Sequence, residues 1–210
     1  MTVPTLRSAG GTALLATFDS LADVVAFRAG LARDAPAGLT EVVSGARTLL
    51  LRFDPATTDA ARLRTRLADV VPVPGSADRS GDDPLVIPVT YDGEDLDTVC
   101  GLTGMTRDDL VAWHTGQLWT SAFCGFAPGF SYLTGTERSL DLPRRATART
   151  AVPSGAVALA GEFSAVYPRT SPGGWQLVGR TDVPMWSLKR TPPALAPAGT
   201  LVRFVEMGAA

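Results

Sequence analysis

Residues 72–84 read PVPGSADRSGDDP, a run of Pro, Gly, Ser and Asp that breaks any regular element, and the sequence changes character across it. Before it, apolar residues recur at helical spacing in two places. Leu21, Val24, Val25, Phe27 and Leu31 form one stripe, and Leu63, Leu67 and Val70 form another with arginines facing outward. TALLATF precedes the first stripe as a strand, and LTEVVSGARTLLLRFD lies between the stripes as two strands joined at SGAR. The order strand, helix, strand, strand, helix is that of a small ferredoxin-like α+β unit. After the break, LVIPVTY reads as a strand, while DLDTVCGLTG and TRDDLVAWHTG read as helical segments. Short β-like runs between glycines and prolines follow, the pattern of an all-β barrel or sandwich. The expected fold class is α+β, with an N-terminal domain over 1–75, a linker over 76–84 and a β-barrel domain over 85–206.

Composition narrows the function. Nineteen basic against 21 acidic residues leave a net charge of −2, which offers no footprint for a phosphate backbone, so nucleic acid is set aside. The start, MTVPTLRSAGGTALLATF, lacks the pattern of a secretory leader, and no run approaches the about 20 apolar residues that span a bilayer. Two cysteines, Cys100 and Cys124, are too few for a disulfide framework, and no His/Cys cluster has metal-site spacing. A cytoplasmic protein with reduced thiols and no bound metal is expected.

Chemistry concentrates in the second half. CGFAPGF, AVPSGAV, VYPRTSPGGW and VGRT are glycine and proline nodes, which specify loop shapes that serve either as tight barrel turns or as a close approach to a ligand. Arg144, Arg145 and Arg149 cluster in PRRATAR, and Arg169 and Arg180 follow. Guanidinium groups bind carboxylate or phosphate oxygens in pairs, and glycine-rich turns add amide donors, so an anionic small-molecule ligand is expected; the alternative is solvated arginines. Thr106 caps the helix that carries His114, the single histidine, which reads either as a helix-end residue or as a polar site group. Cys124 in its apolar run reads as packing. Ser154 lacks the esterase elbow, and no GxxxxGK[ST] loop is present.

Taken together, FCGFAPGFSYLTG, LPRRATARTAVPSGAVALAGEFSAVYP, SPGGWQLVGRT and PPALAPAGTLVRF resemble the family of 5-oxoprolinase B-type subunits, also known as KipI or allophanate hydrolase subunit 1, which corresponds to subdomains C and D of a carboxyltransferase domain. The resemblance implies a cyclophilin-like barrel after the small domain. It implies an ATP-dependent 5-oxoprolinase, with Mg accompanying ATP, that works with two partners: a C-type subunit (KipA, or allophanate hydrolase subunit 2) and an A-type subunit of the LamB/YcsF kind. Alternatives within the family are inhibition of a sensor histidine kinase and a role in urea or allophanate breakdown. The expected catalytic residues are His114, Arg149 and Arg180. Phe126, Pro128, Gly129, Tyr132, Pro153, Ser154, Gly155 and Gln176 are the expected substrate-binding residues. Ala148, the order Ser154-Gly155-Ala156, Ser187 and Thr200 depart from the family pattern.

Overall fold

The computed structural model describes residues 4–73 and 83–208, in two compact units, Met1–Asp78 and Arg79–Ala210. Of the linker expected over 76–84, all but Asp83 and Pro84 lie outside the described residues.

The first unit contains β1 (Thr5–Ser8), β2 (Ala13–Thr17), α1 (Leu21–Arg33), β3 (Leu39–Ser44), β4 (Thr48–Phe53) and α2 (Ala60–Ala68). Each helix starts where a side chain satisfies its free amides. Ser20 accepts from the Asp23 N–H at 3.1 Å, and Asp59 accepts from the N–H groups of Ala61 and Arg62 at 2.9 Å. The sheet is antiparallel in the order β1-β2-β4-β3. Leu14, Leu49 and Leu51 from the sheet close a core with Phe27 and Leu31 of α1 and Leu63 and Leu67 of α2. Strands β2, β4 and β3 with the two helices have the ferredoxin-like arrangement. The fourth sheet position is filled by β1, which precedes β2 as a hairpin arm, and not by a strand after α2.

The second unit runs β5 (Leu85–Val89), α3 (Leu96–Thr103), α4 (Arg107–Gly116), β6 (Trp119–Cys124), β7 (Ser131–Gly135), β8 (Arg149–Val152), β9 (Ala156–Ala160), β10 (Phe163–Val166), β11 (Ser171–Gly173), β12 (Gln176–Arg180) and β13 (Leu201–Glu206). Seven of these strands form one sheet in the order β12-β9-β10-β7-β6-β13-β5. The sheet curls until its edges meet, where Thr90, just past β5, and Arg180 of β12 exchange two backbone hydrogen bonds of 2.9 Å. This nearly closed, barrel-like sheet removes the exposed edges that an open sheet would present.

Period-two alternation sorts its side chains into two layers. Val157 and Leu159 of β9 join Ile87, Trp119, Leu133, Val166, Val178 and Phe204, so every strand contributes to one buried cluster, which is therefore the barrel interior. Val99 of α3 and Leu110 and Val111 of α4 complete it. The other face of the same strands carries Ala156, Ala158 and Ala160 of β9 with Ala165 and Leu177. There Phe130, Tyr167, Trp175 and Val152 pack outside the barrel, next to the two-stranded β8–β11 sheet. The small alanines of β9 leave room for these rings. Among the described residues no helix is long and apolar enough to cross a membrane.

Candidate functional site

The barrel seam concentrates charge. After β5 the chain reads Tyr91-Asp92-Gly93-Glu94-Asp95, and its backbone bonds to β12 through Gly93 N–H to Val178 O at 3.2 Å and Asp95 N–H to Leu177 O at 2.9 Å. Gly93 lies so close to β12 that a Cβ would collide with the Leu177 carbonyl. The Asp95 side chain, 2% exposed, turns back under this seam and accepts the Leu177 N–H at 2.7 Å. Arg149 Nη1 and Nη2 donate to its two oxygens at 2.8 and 2.9 Å, an end-on bidentate pair, and Arg145 Nη1 donates to Oδ1 as well. Burial alone raises the Asp95 pKa. The bonds from Arg149 and Leu177 and the charges of both arginines outweigh it and hold the carboxyl below its ordinary value. Asp95 is therefore a fixed anion, and it fixes Arg149 in turn.

The remaining edge of Arg149 is held differently. Nε and Nη2 both donate to a single oxygen, Oε2 of the exposed Glu94, at 3.3 and 3.0 Å. Arg180 lies further along the seam and donates to Asp92 at 2.8 Å, with both side chains well exposed.

Beside the seam is an uncharged aromatic shelf. Ala127 N–H bonds to the Gly125 carbonyl at 2.7 Å around Phe126, whose φ is 65°, a three-residue turn of the rare left-handed kind that is strained for a phenylalanine. The turn presents the Phe126 ring, 58% exposed, edge-on to Phe130 and Tyr167. Gly129 also has positive φ (84°), and a Cβ there would sit 2.8 Å from the Trp186 Cβ and 3.0 Å from the Met185 carbonyl, so only glycine fits. Tyr132 stacks on Phe123 at 4.3 Å and meets Phe130 and Trp175 edge-on. Tyr167 links shelf to seam: it packs against Phe130, its hydroxyl lies against Gly173, and Gly173 is the strand partner of Arg149. Burial raises the Tyr167 pKa, opposed by the Trp175 N–H and by the charges of Arg144 and Arg149. Arg144 is exposed and, among the described residues, has no carboxylate partner.

The residues singled out in the sequence thus fall in three places. Phe126, Pro128, Gly129 and Tyr132 belong to the shelf; Pro153, Ser154 and Gly155 form a turn on its border. There Gly155 N–H donates to the Tyr167 carbonyl at 2.8 Å, while the exposed Ser154 hydroxyl donates to the Pro168 carbonyl at 3.1 Å. Arg149, Arg180 and Gln176 belong to the seam. Gln176 is buried, and its Nε2 donates to the Pro143 carbonyl at 3.0 Å.

His114, expected as a polar group of the ligand cleft, is instead inside the barrel and 1% exposed. It lies on the same face of α4 as Leu110 and Val111, and that face is turned inward. Its ring stacks on Phe204 at 4.3 Å, Nδ1 shares a 2.6 Å hydrogen bond with the Tyr91 hydroxyl, and Nε2 shares one of 2.9 Å with Ser164. Burial drives its pKa down to about 3, so the ring is neutral and structural in its contacts. Cys124 packs at 3.6 Å from the Ser131 hydroxyl and the Ala196 carbonyl. Sequence reasoning missed Asp92, Glu94, Asp95 and Tyr167. The available signal was three carboxylates in four positions, directly after a strand, in a chain whose arginines had no assigned counter-charges. Among the described residues, no three His, Cys, Asp or Glu side chains converge as metal ligands.

Fold and site together define an α+β protein whose nearly closed barrel carries a pre-oriented arginine at its seam, beside an aromatic shelf. The chain belongs to the family described as carboxyltransferase domain, subdomain C and D, whose model matches residues 4–196. It is 37% identical over 124 residues to the B subunit of 5-oxoprolinase from Bacillus subtilis (strain 168), a stretch covering 58% of this chain and 52% of that protein. Three curated relatives carry that name, and the chain matches 52% to 59% of their lengths. In structure it is similar to TTHA0988, with a TM-score of 0.75 at 32% identity, over 98% of this chain and 41% of that one. The urea amidolyase of K. lactis shares the fold, with a TM-score of 0.72 at 19% identity, over 98% of this chain and 15% of that one.

Proposed function

We propose that this chain is the B-type subunit of a cytoplasmic ATP-dependent 5-oxoprolinase, which opens 5-oxo-L-proline to L-glutamate together with a C-type subunit of the KipA kind and an A-type subunit of the LamB/YcsF kind. The observation that carries the reading is Arg149: a guanidinium locked by a buried carboxylate, its other edge held only by the exposed Glu94, beside a shelf free of charge. Such a group receives a carboxylate or phosphate in fixed orientation, while the neighbouring rings exclude water. The curated relatives' name supplies the substrate.

The lactam amide is unreactive towards water, and ATP with its Mg, when bound in the assembly, supplies the phosphoryl chemistry that activates it. This chain's residues fit the oxyanion part of either reactant. Arg149 orients it, the exposed Arg180 and Arg144 add positive charge near it, and Phe126 and Tyr132 cover its apolar side. His114 acts at a distance, by holding Tyr91 at the base of the seam loop.

The test is reconstitution. The three subunits with ATP, Mg and 5-oxoproline are expected to release glutamate, and omission of this chain is expected to abolish it. If the complete mixture releases none, the assignment fails; turnover of urea in its place would move the chain to urea breakdown.

A further inference from the structure

Arg149 holds two carboxylates in unlike ways. Asp95 is 2% exposed, takes the end of the guanidinium with both oxygens, and is itself tied to the Leu177 N–H and to Arg145. Glu94 has a side chain 74% exposed and meets the other edge with one oxygen shared between Nε and Nη2, at 3.3 and 3.0 Å. That edge, formed by two parallel N–H bonds, matches both oxygens of a carboxylate or two oxygens of a phosphate, and a single shared oxygen uses it poorly. An exposed carboxylate pays side-chain entropy to stay there and gains little from the pair, whereas the buried one cannot leave without stranding charge. Charges agree: Arg145 and Arg149 balance Asp95 and Glu94, so departure of Glu94 leaves the cluster one positive charge short of a partner.

We propose that the outer edge of Arg149 is an oxyanion site for which Glu94 is a built-in competitor, swinging out when a ligand carboxylate or phosphate arrives. Asp95 is the positioning residue that keeps the guanidinium in place during the exchange. The inference rests on the function proposed above for the identity of the ligand, while the exchange itself concerns this chain alone. Tyr167 feels the charge of Arg149, its hydroxyl lies against Gly173, the strand partner of Arg149, and it accepts the backbone N–H of Trp175, so tryptophan emission can report a change at Arg149.

The full chain is titrated at constant ionic strength with 5-oxoproline, and in a second arm with inorganic phosphate, by calorimetry and tryptophan emission. These arms separate a substrate carboxylate from a phosphate as the source of the oxyanion. Glu94→Gln is expected to tighten binding of at least one of them about three- to fivefold, the factor that loss of one exposed competing pair allows. Arg149→Lys, which keeps the charge and removes the paired edge, is expected to abolish the gain when combined with Glu94→Gln. Unchanged or weaker binding in Glu94→Gln overturns the proposal, as does binding of neither probe by any variant. Because Glu94 is exposed, its substitution leaves the fold intact, which an unchanged melting temperature verifies. Glutamate release by the three-subunit mixture is scored separately, so failed turnover with tightened binding refutes the assigned activity and leaves the exchange standing.

Discussion

The single histidine makes the barrel's stability a simple function of pH. His114 is buried with a pKa of about 3, whereas an unfolded chain holds histidine near about 6.5. Above the unfolded value the ring is neutral in both states and the barrel keeps its full stability. As pH falls below it, the unfolded chain takes a proton that the native barrel refuses, and stability is lost steadily down to the folded value. Between pH 7.5 and pH 5 this costs about 1.5 units at ~1.4 kcal/mol each, about 2 kcal/mol in all. Carboxylates add only about 0.1 kcal/mol apiece in that window, since their unfolded values lie near 4. All four tryptophans, Trp113, Trp119, Trp175 and Trp186, belong to the second unit, so urea unfolding followed by tryptophan emission reads the barrel alone. The wild type should lose about 2 kcal/mol between the two pH values, and His114→Gln, whatever its absolute stability, should lose almost none. A wild-type barrel equally stable at both pH values would refute the reasoning, and would mean that the imidazole is protonated inside the barrel or reaches water.

Two further perturbations test the site's framework. Arg149→Ala removes the two-point partner of a buried carboxylate but leaves Arg145 and the Leu177 N–H in place, so denaturant unfolding should show a loss of about 2 kcal/mol along with loss of oxyanion binding. The pairing with buried Asp95 is what gives this removal a thermal cost. Gly129→Ala must adopt φ 84° and push Trp186 aside, and is expected to cost about 2 kcal/mol, read as a lower urea midpoint with unchanged slope.

Much of the scaffold was legible because it is written in local signals. The stripes of α1 and α2 and the Thr106 cap of α4 need only neighbouring residues, and Thr106 indeed forms a reciprocal capping box with Asp109. β1 escaped because TLRS is short and only weakly alternating; its strand character comes from pairing with β2. The run FCGFAPGFSYLTG was legible as rings among tight turns, while the packing of Phe130 on Tyr167 and Trp175 joins it to chain more than thirty positions away, which no local pattern records. The seam was not legible. Asp95 meets Arg145 and Arg149 across fifty or more positions of chain, and no local spacing records such a pairing. Arg144 and Arg145 are neighbours in PRRATAR, yet one is exposed and the other, whose backbone N–H bonds to the Gly174 carbonyl, reaches a buried carboxylate. His114 was readable in part. A residue four positions after Leu110 and three after Val111 shares their helix face, and that spacing pointed inward while its polarity pointed out.

The seam also determines which residue can be altered to examine the site without disturbing the fold. The bonds from Gly93 and Asp95 that close the sheet against β12 are the same ones that bring the Asp95 carboxylate under Arg149. A change at Gly93 forces a side chain into the Leu177 carbonyl, and a change at Asp95 strands Arg145 and the Leu177 amide and leaves Arg149 held by Glu94 only. Either one alters barrel closure and guanidinium orientation together, so lost activity in such variants would not separate chemistry from folding. Glu94 lies between them in sequence, yet its side chain leaves the seam and, among the described residues, makes its hydrogen bonds to Arg149 alone. It is therefore a position at which the counter-charge beside Arg149 can be removed while the barrel stays closed.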